Sequence, residues 1–174
     1  NLHVHTEYSL LDGANRIKEL VARVKELGMN AVAITDHGVM YGAIEFYKEC
    51  KKNGIKPIIG CEIYVAPRTR FDKEANVDDR LGHLILIAKD NEGYSNLIKI
   101  VSKAFTEGYY YKPRADLDLL RQYSKGIICT SACIAGFISR AILDDEYEKA
   151  KQTALEYIDI FGKENFYIEL QHNG

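Results

Sequence analysis

Apolar positions along the chain alternate between two spacings, and the alternation predicts the elements. At the amino terminus "NLHVHTEYSL" interleaves Leu2 and Val4 with His3 and His5 at period two, the pattern of a short two-faced strand. "NRIKELVARVKELG" then sets Ile17, Leu20, Val21, Val24 and Leu27 at helical spacing, with Gly28 in the position of a C-terminal cap. "AVAIT" (31–35) reads as a short buried strand, "GAIEFYKECKKNG" as a second amphipathic helix stopped at Asn53 and Gly54, and "PIIGCEIYVAP" as a strand bounded by prolines. Strand followed by helix, repeated, is the rhythm of a parallel sheet in an α/β protein.

The rhythm breaks after Pro67. "RTRFDKEANVDDRL" is densely charged and has no apolar stripe, so it reads as a loop, or a loop containing a short helix. "HLILIAKD" is again a strand. A helix over roughly 91–107 follows, then the connector "GYYYKPRADLD", a short helix to Tyr123 and the buried strand "GIICTS". A long helix near 144–161 and the strand "NFYIELQ" complete six expected strands.

In such sheets functional side chains gather at the carboxyl ends of the strands. His3 and His5 close the first strand, and their period-two spacing aims both imidazoles to one side. Taken alone, they are equally a ligand pair or two solvated histidines on an edge. Asp12 lies in the turn before the first helix, as a ligand or a helix cap. Asp36 and His37 follow the second strand in "AITDHG", where Gly38 frees the backbone to turn. Glu62 sits between Cys61 and Ile63 inside the third strand, a costly place for a carboxylate unless something positive meets it. Cys133 follows the fifth strand, as a ligand or as a small buried apolar group.

His83 begins its strand rather than ending it. Without a crossover helix between 67 and 82, the fourth strand is expected to run antiparallel to the third and to start beside its carboxyl end. Four of the five histidines, two carboxylates and a thiol then share one rim. Nitrogen, oxygen and sulfur donors suit zinc or manganese better than calcium, and so many exceed the needs of one ion. Two ions about 3.5–4 Å apart activate water and stabilise a leaving oxygen, which is the chemistry of phosphoester hydrolysis.

Composition narrows the picture further. At 174 residues the chain fits one domain with a core large enough to need no disulfide. Its four cysteines show no CxxC spacing, no signal-peptide pattern precedes them and no apolar run is long enough to cross a membrane, which together point to a reducing cytoplasm. A net charge of -2, from 23 basic and 25 acidic residues, argues against a broad nucleic-acid-binding surface, so any nucleic acid must be met locally. Arg68, Arg70, Lys112 and Arg114 are candidates to steer a phosphate backbone, against the alternative of solvated surface charge. Tyr109, Tyr110 and Tyr111 are base-stacking candidates, against the alternative of tyrosines packed on a buried connector.

With these residues assembled, the chain resembles the PHP (polymerase and histidinol phosphatase) family, and within it the branch at the amino terminus of bacterial DNA polymerase III alpha subunits. "LHVHTEYSLLDG", "AVAITDHGVMYGAIEFYKECKKNGIKPIIGCEIYVAP" and "HLILIAKDNEGYSNLIKIVSKAF", in that order, carry the likeness across essentially the whole chain. The resemblance implies a distorted seven-stranded β/α barrel, here truncated to about six strands. It implies His3, His5, Asp12, His37, Glu62, His83 and Cys133 as ligands to two or three divalent ions, zinc or manganese ahead of magnesium. Histidinol phosphatases of the family often carry histidine where this chain has Asp12 and Cys133, which favours the polymerase branch. Members of that branch that keep their ligands are associated with 3′–5′ exonuclease activity, while others keep the domain as a scaffold. The implied partners are the rest of the polymerase subunit, DNA and other replisome subunits, with no membrane. The chain opens without methionine and stops after a strand, so it is expected to be part of something longer, with the family's final aspartate and histidine beyond it. His172 falls outside the implied ligand set and reads as solvated.

Overall fold

The structure is a computed structural model that describes residues 1–10 and 12–172. Its elements alternate as the hydrophobic pattern dictates. Helix α1 (Ile17–Glu26) buries Ile17, Val21 and Val24, then ends at Leu27 and Gly28, whose φ of 69° is the left-handed turn expected of a glycine cap. Strand β1 (Ala31–Ile34), helix α2 (Ala43–Lys52) and strand β2 (Lys56–Val65) follow. Residues 67–81 contain turns but no helix among them. Strand β3 (Gly82–Ala88), helix α3 (Asn91–Thr106), the two-residue strand β4 (Arg114–Ala115), helix α4 (Leu117–Tyr123) and strand β5 (Ile127–Thr130) come next. Helices α5 (Phe137–Leu143) and α6 (Tyr147–Phe161) and strand β6 (Phe166–Tyr167) complete the described elements.

The sheet is mixed, in the order β1-β2-β3-β5-β6, with β4 paired to β2 off this path. β1 and β2 are parallel, as are β5 and β6, while β3 runs antiparallel to both of its neighbours. That reversed strand places His83 opposite Tyr64 near the carboxyl end of β2. The hairpin expected from the missing crossover helix is therefore present, and its register brings His83 to the rim.

Period-two alternation divides the sheet's two faces. Cys61, Ile63 and Val65 of β2 and Leu84 and Leu86 of β3 pack outward against α3, α4 and α6 in the main core. Glu62 and Tyr64 of β2 and His83 of β3 point the other way. Ile85 and Ile87 share their face and form a smaller cluster with Ala132. A third cluster, around Val4, Val21, Val32 and Phe46, joins the amino-terminal segment to α1, β1 and α2.

Three expectations change. Residues 1–5 lie beside β1 with a bend at His3 and form no regular ladder, because the Val4 N–H goes to the Thr35 hydroxyl (2.7 Å) rather than to a backbone carbonyl. β4 takes the sixth place in the strand count. The long helix expected near 144–161 is α6, which begins at Tyr147 because Asp145 adopts a φ of 57°, and it is preceded by a short helix, α5, that the sequence pattern did not predict. The chain is thus a mixed α/β fold with six strands and six helices among the described residues. Its sheet curls until the amino-terminal segment meets the end of β6, where His3 and Glu169 lie 2.7 Å apart.

Candidate metal centre

The site begins with a buried carboxylate. Glu62 is 1% exposed, on the strand face opposite the core, and imidazoles from three segments meet it. One oxygen, Oε2, is 2.6 Å from His3 Nε2 and 3.7 Å from His5 Nε2. The other, Oε1, is 2.7 Å from His37 Nδ1 and 2.9 Å from His83 Nδ1. Cys133 Sγ lies 3.8 Å from His83 Nδ1. Asp12, mostly exposed, accepts from His37 Nε2 at 2.9 Å. The seven residues implied as ligands therefore lie around one bowl of about 1440 Å³.

Local backbone chemistry explains how distant residues arrive there. Asp36, fully buried at the end of β1, accepts from the Thr6 N–H (2.5 Å), the Thr6 hydroxyl (2.8 Å) and the Ser9 hydroxyl (2.7 Å). Ser9 Oγ in turn accepts the His37 N–H at 3.1 Å. These bonds tie the turn after His5 to the turn after β1, and His5 and His37 stack with ring centroids 3.9 Å apart. Gly38, at φ 66°, continues that turn where an added Cβ would meet the Pro113 and Tyr64 side chains at 2.9–3.0 Å.

The charge balance follows from the same contacts. Burial disfavours the Glu62 carboxylate, but hydrogen bonds from His3, His37 and His83 more than offset it and hold its pKa far below the usual carboxylate range. Burial likewise opposes the His3 imidazolium, yet both ring nitrogens face carboxylates, Glu169 and Glu62, and its pKa is pushed up to about 9. His37 is raised by its bond to Glu62 against the cost of burial. His5 is lowered by burial and by the neighbouring His37. Its Nδ1 is a buried nitrogen with no hydrogen-bond partner among the described residues.

This donor set fits divalent transition metals. Around a tetrahedral zinc with Zn–N of about 2.0–2.1 Å, adjacent donors stand about 3.3 Å apart. His3 and His5 present their Nε2 atoms 3.2 Å apart, and His5 and Glu62 their donor atoms 3.7 Å apart. Two groups have donors mutually within 4.8 Å, His3 with His5 and Glu62, and Glu62 with His83 and Cys133, so that Glu62 belongs to both. The 2.6 Å contact of His3 with Glu62 is a hydrogen bond that must open by about 0.7 Å to reach that tetrahedral spacing and admit an ion.

Glu169, just past β6, is the residue that sequence reasoning missed. It accepts from His3 Nδ1 through Oε1 and from the Thr130 hydroxyl (2.6 Å) through Oε2, and its N–H donates to Ser131 Oγ. Its signal was a carboxylate at the carboxyl end of the last strand, the same criterion that singled out the other rim residues. His172 is exposed at the mouth of the bowl.

Most of the residues considered for phosphate steering are engaged elsewhere. Arg114 has no exposed surface and donates to the carbonyls of Gly108, Asp78, Arg70 and Asp72 at 2.8–3.1 Å. It is an internal strut, not a surface cation, because four otherwise unpaired carbonyls of the 67–82 excursion and its neighbour converge on one guanidinium. Arg70 is paired with Asp116 and Glu107, and Arg68 with Asp78 and Glu74. Lys112 alone of the four is exposed without a carboxylate partner among the described residues; its ammonium stands 5.5 Å from the Tyr64 ring centroid. The connector tyrosines also differ from a buried packing: Tyr109 is 52% and Tyr111 72% exposed.

The chain is similar to several known proteins. DNA polymerase III subunit alpha of Chlamydia trachomatis is 53% identical over 171 residues, covering 98% of this chain and 14% of that protein. Its counterpart from Borreliella burgdorferi is 51% identical over 178 residues, covering 100% of this chain and 15% of that protein. The chain thus spans about 15% of the length of these curated relatives. An amidohydrolase from Chromobacterium violaceum, 21% identical over 91% of this chain and 49% of its own, superposes with a TM-score of 0.42. The PHP domain profile matches residues 1–173, with the rim residues inside it, and the chain belongs to the PHP family.

Proposed function

We propose that this domain is a metal-dependent phosphodiesterase acting on single-stranded DNA from its 3′ end, as the amino-terminal module of a DNA polymerase III alpha subunit. The observation that carries the reading is the position of Glu62, whose two oxygens each face a different pair of histidines. A carboxylate so placed would belong to two donor sets at once, each able to hold a divalent cation. His3 and His5 complete one donor set with Glu62, His83 and Cys133 the other, and His37 and Asp12 stand at the outer rim. Zinc or manganese suits nitrogen and sulfur donors better than magnesium, and two or three ions accommodate seven ligands.

Bound ions of this kind polarise a phosphoryl oxygen and lower the pKa of a coordinated water toward about 7. The chain's own residues prepare that chemistry. Glu169 accepts the Nδ1 proton of His3 and leaves Nε2 facing the bowl, while Thr130 and Ser131 fix Glu169. Asp36 holds the turn that carries His5 and Asp12 against the turn that carries His37. The remainder of the polymerase subunit, DNA and other replisome subunits are the corresponding partners. A reducing cytoplasm suits four free cysteines, and no described helix is long and apolar enough to cross a membrane.

A second reading, a metal-stabilised scaffold without hydrolysis, draws on the fact that the same histidines tie the amino-terminal segment, β1, β2 and β3 to one carboxylate. Metal analysis of the full-length protein, followed by incubation with 3′-labelled single-stranded DNA and with histidinol phosphate, separates the readings. Bound transition metal with release of labelled nucleotide supports the phosphodiesterase. Bound metal with neither substrate cleaved supports the scaffold, and cleavage of histidinol phosphate alone places the domain among small-molecule phosphatases.

A further inference from the structure

A second cavity, of about 670 Å³, adjoins the bowl, and His83 lines both. It combines cations with aromatic faces. Arg80, Lys112 and Arg140 line it together with Tyr64, Tyr110 and Tyr111, and Asp79 is the carboxylate on its wall. Arg140 is partly engaged, donating to the Leu81 carbonyl at 2.7 Å, and Asp79 accepts the Asn76 N–H at 3.2 Å. Arg80 and Lys112 are exposed, and among the described residues neither forms an ion pair, in contrast to Arg68 and Arg70 nearby in the chain.

Tyr111 is the most unusual residue of the group. The residue is 72% exposed, yet its backbone sits at φ 58°, a region that side-chain-bearing residues avoid. The neighbours enforce this placement. Tyr110 N–H donates to the Lys112 carbonyl at 3.0 Å, the Arg114 guanidinium lies 5.1 Å from the Tyr110 ring centroid, and the Tyr110 and Tyr111 rings are 4.6 Å apart. A buried arginine thus supports a turn whose outermost residue presents an aromatic face to solvent.

We infer that this cavity is the subsite for the nucleotide adjoining the scissile phosphate of a single-stranded polynucleotide, with a base stacked on Tyr111 and a backbone phosphate held by Arg80 and Lys112. The inference rests on reading the adjoining bowl as hydrolytic. Aromatic faces interleaved with cations are the chemistry of single-strand binding, because every base offers a π-face and every linkage a charge. His83 provides the continuity, since a diester at the rim beside it has its next nucleotide at this cavity. The chain's small net negative charge makes a local arrangement of this kind necessary for any polynucleotide to be held.

Two measurements on the full-length protein test the subsite. In the first, an oligonucleotide carrying 5-iododeoxyuridine near its 3′ end is irradiated with the protein in EDTA, and crosslinks are mapped. A crosslink in the tryptic segment 104–114 is expected, lost in Tyr111→Asn, which tolerates positive φ, and kept in Tyr111→Phe. Absence of that crosslink, or its persistence in Tyr111→Asn, overturns the assignment. In the second, the ratio of kcat/KM for the oligonucleotide to that for bis(p-nitrophenyl) phosphate is expected to fall about tenfold or more when Tyr111→Asn is combined with Lys112→Ala. An unchanged ratio overturns the subsite. If wild-type protein hydrolyses neither substrate, the hydrolytic reading fails, and the crosslink still decides whether the cavity holds a polynucleotide.

Discussion

The histidine rim and the arginine-rich excursion at residues 67–82 are both dense in charge, and they use it in opposite ways. In the excursion Arg68 pairs with Asp78 and Arg70 with Asp116, and Arg114 reaches in from β4 to bind four carbonyls, so that of its arginines Arg80 alone has no ion-pair partner among the described residues. At the rim, donors outnumber what one carboxylate can satisfy. His3, His37 and His83 all reach Glu62, His5 Nδ1 has no partner among the described residues, and the assembly opens into a bowl of about 1440 Å³. Charge density alone therefore does not mark a site. A surplus of metal-binding donors around a buried carboxylate does, because such a surplus is costly in a fold that gains nothing from it.

The sharpest break of that contrast is Arg114→Met. It leaves four carbonyls without their common donor, and a loss of about 3–5 kcal/mol of stability is expected in urea unfolding, with metal content per folded molecule unchanged. A loss below about 1 kcal/mol would place Arg114 among ordinary surface cations. Next in size, Glu62→Gln removes the charge shared by both donor sets. Metal affinity is expected to drop by about 100-fold or more, measured by competition with a chromogenic chelator, while the metal-free protein keeps its helical circular dichroism. Unchanged affinity would remove Glu62 from the ligand set.

A smaller effect is expected from Glu169→Gln. Loss of the carboxylate behind His3 should weaken metal binding by about 10-fold, within the range for a partner that orients a ligand. No change in affinity would make Glu169 a structural contact between β6 and the amino-terminal segment. The smallest effect concerns pH. The His3 pKa is raised from 6.5 to about 9 in the metal-free fold, so its contribution to stability is complete below pH 6.5 and disappears as pH rises through about 9. In EDTA, the Tm advantage of wild type over His3→Asn is expected to shrink by about 3 °C or more between pH 6.5 and 9.5. An advantage that grows with pH would contradict the paired imidazolium. Metal binding displaces that proton, so affinity should fall as pH is lowered.

Legibility differed between elements for identifiable reasons. Helices α1, α2 and α3 were readable because their apolar residues recur at helical spacing and their ends carry turn residues. Helix α5 was not, because its 7 residues are too few for a helical period to show, and only the packing of Ile138 and Ala141 into the main core marks it. The rim was readable where residue type and strand end coincide, as at His37 and Cys133, or where a carboxylate interrupts an apolar strand, as at Glu62. Glu169 was missed although it satisfies the same criterion, since nothing in "NFYIELQ" signals that it lies beside His3 at the other end of the chain.

By itself, the sequence determined which residues are chemically able to form the site, and which strands and helices carry them, because donor chemistry and hydrophobic period are local properties. The missing helix between β2 and β3 even determined the reversed strand that brings His83 to the rim. Only the tertiary structure decided which charges are available. Arg114 and Lys112 stand two residues apart in the chain, yet one is enclosed by backbone carbonyls and the other faces solvent beside the bowl. That outcome depends on which carbonyls the 67–82 excursion leaves unpaired near each side chain, a matter of contacts made across more than 30 residues of chain.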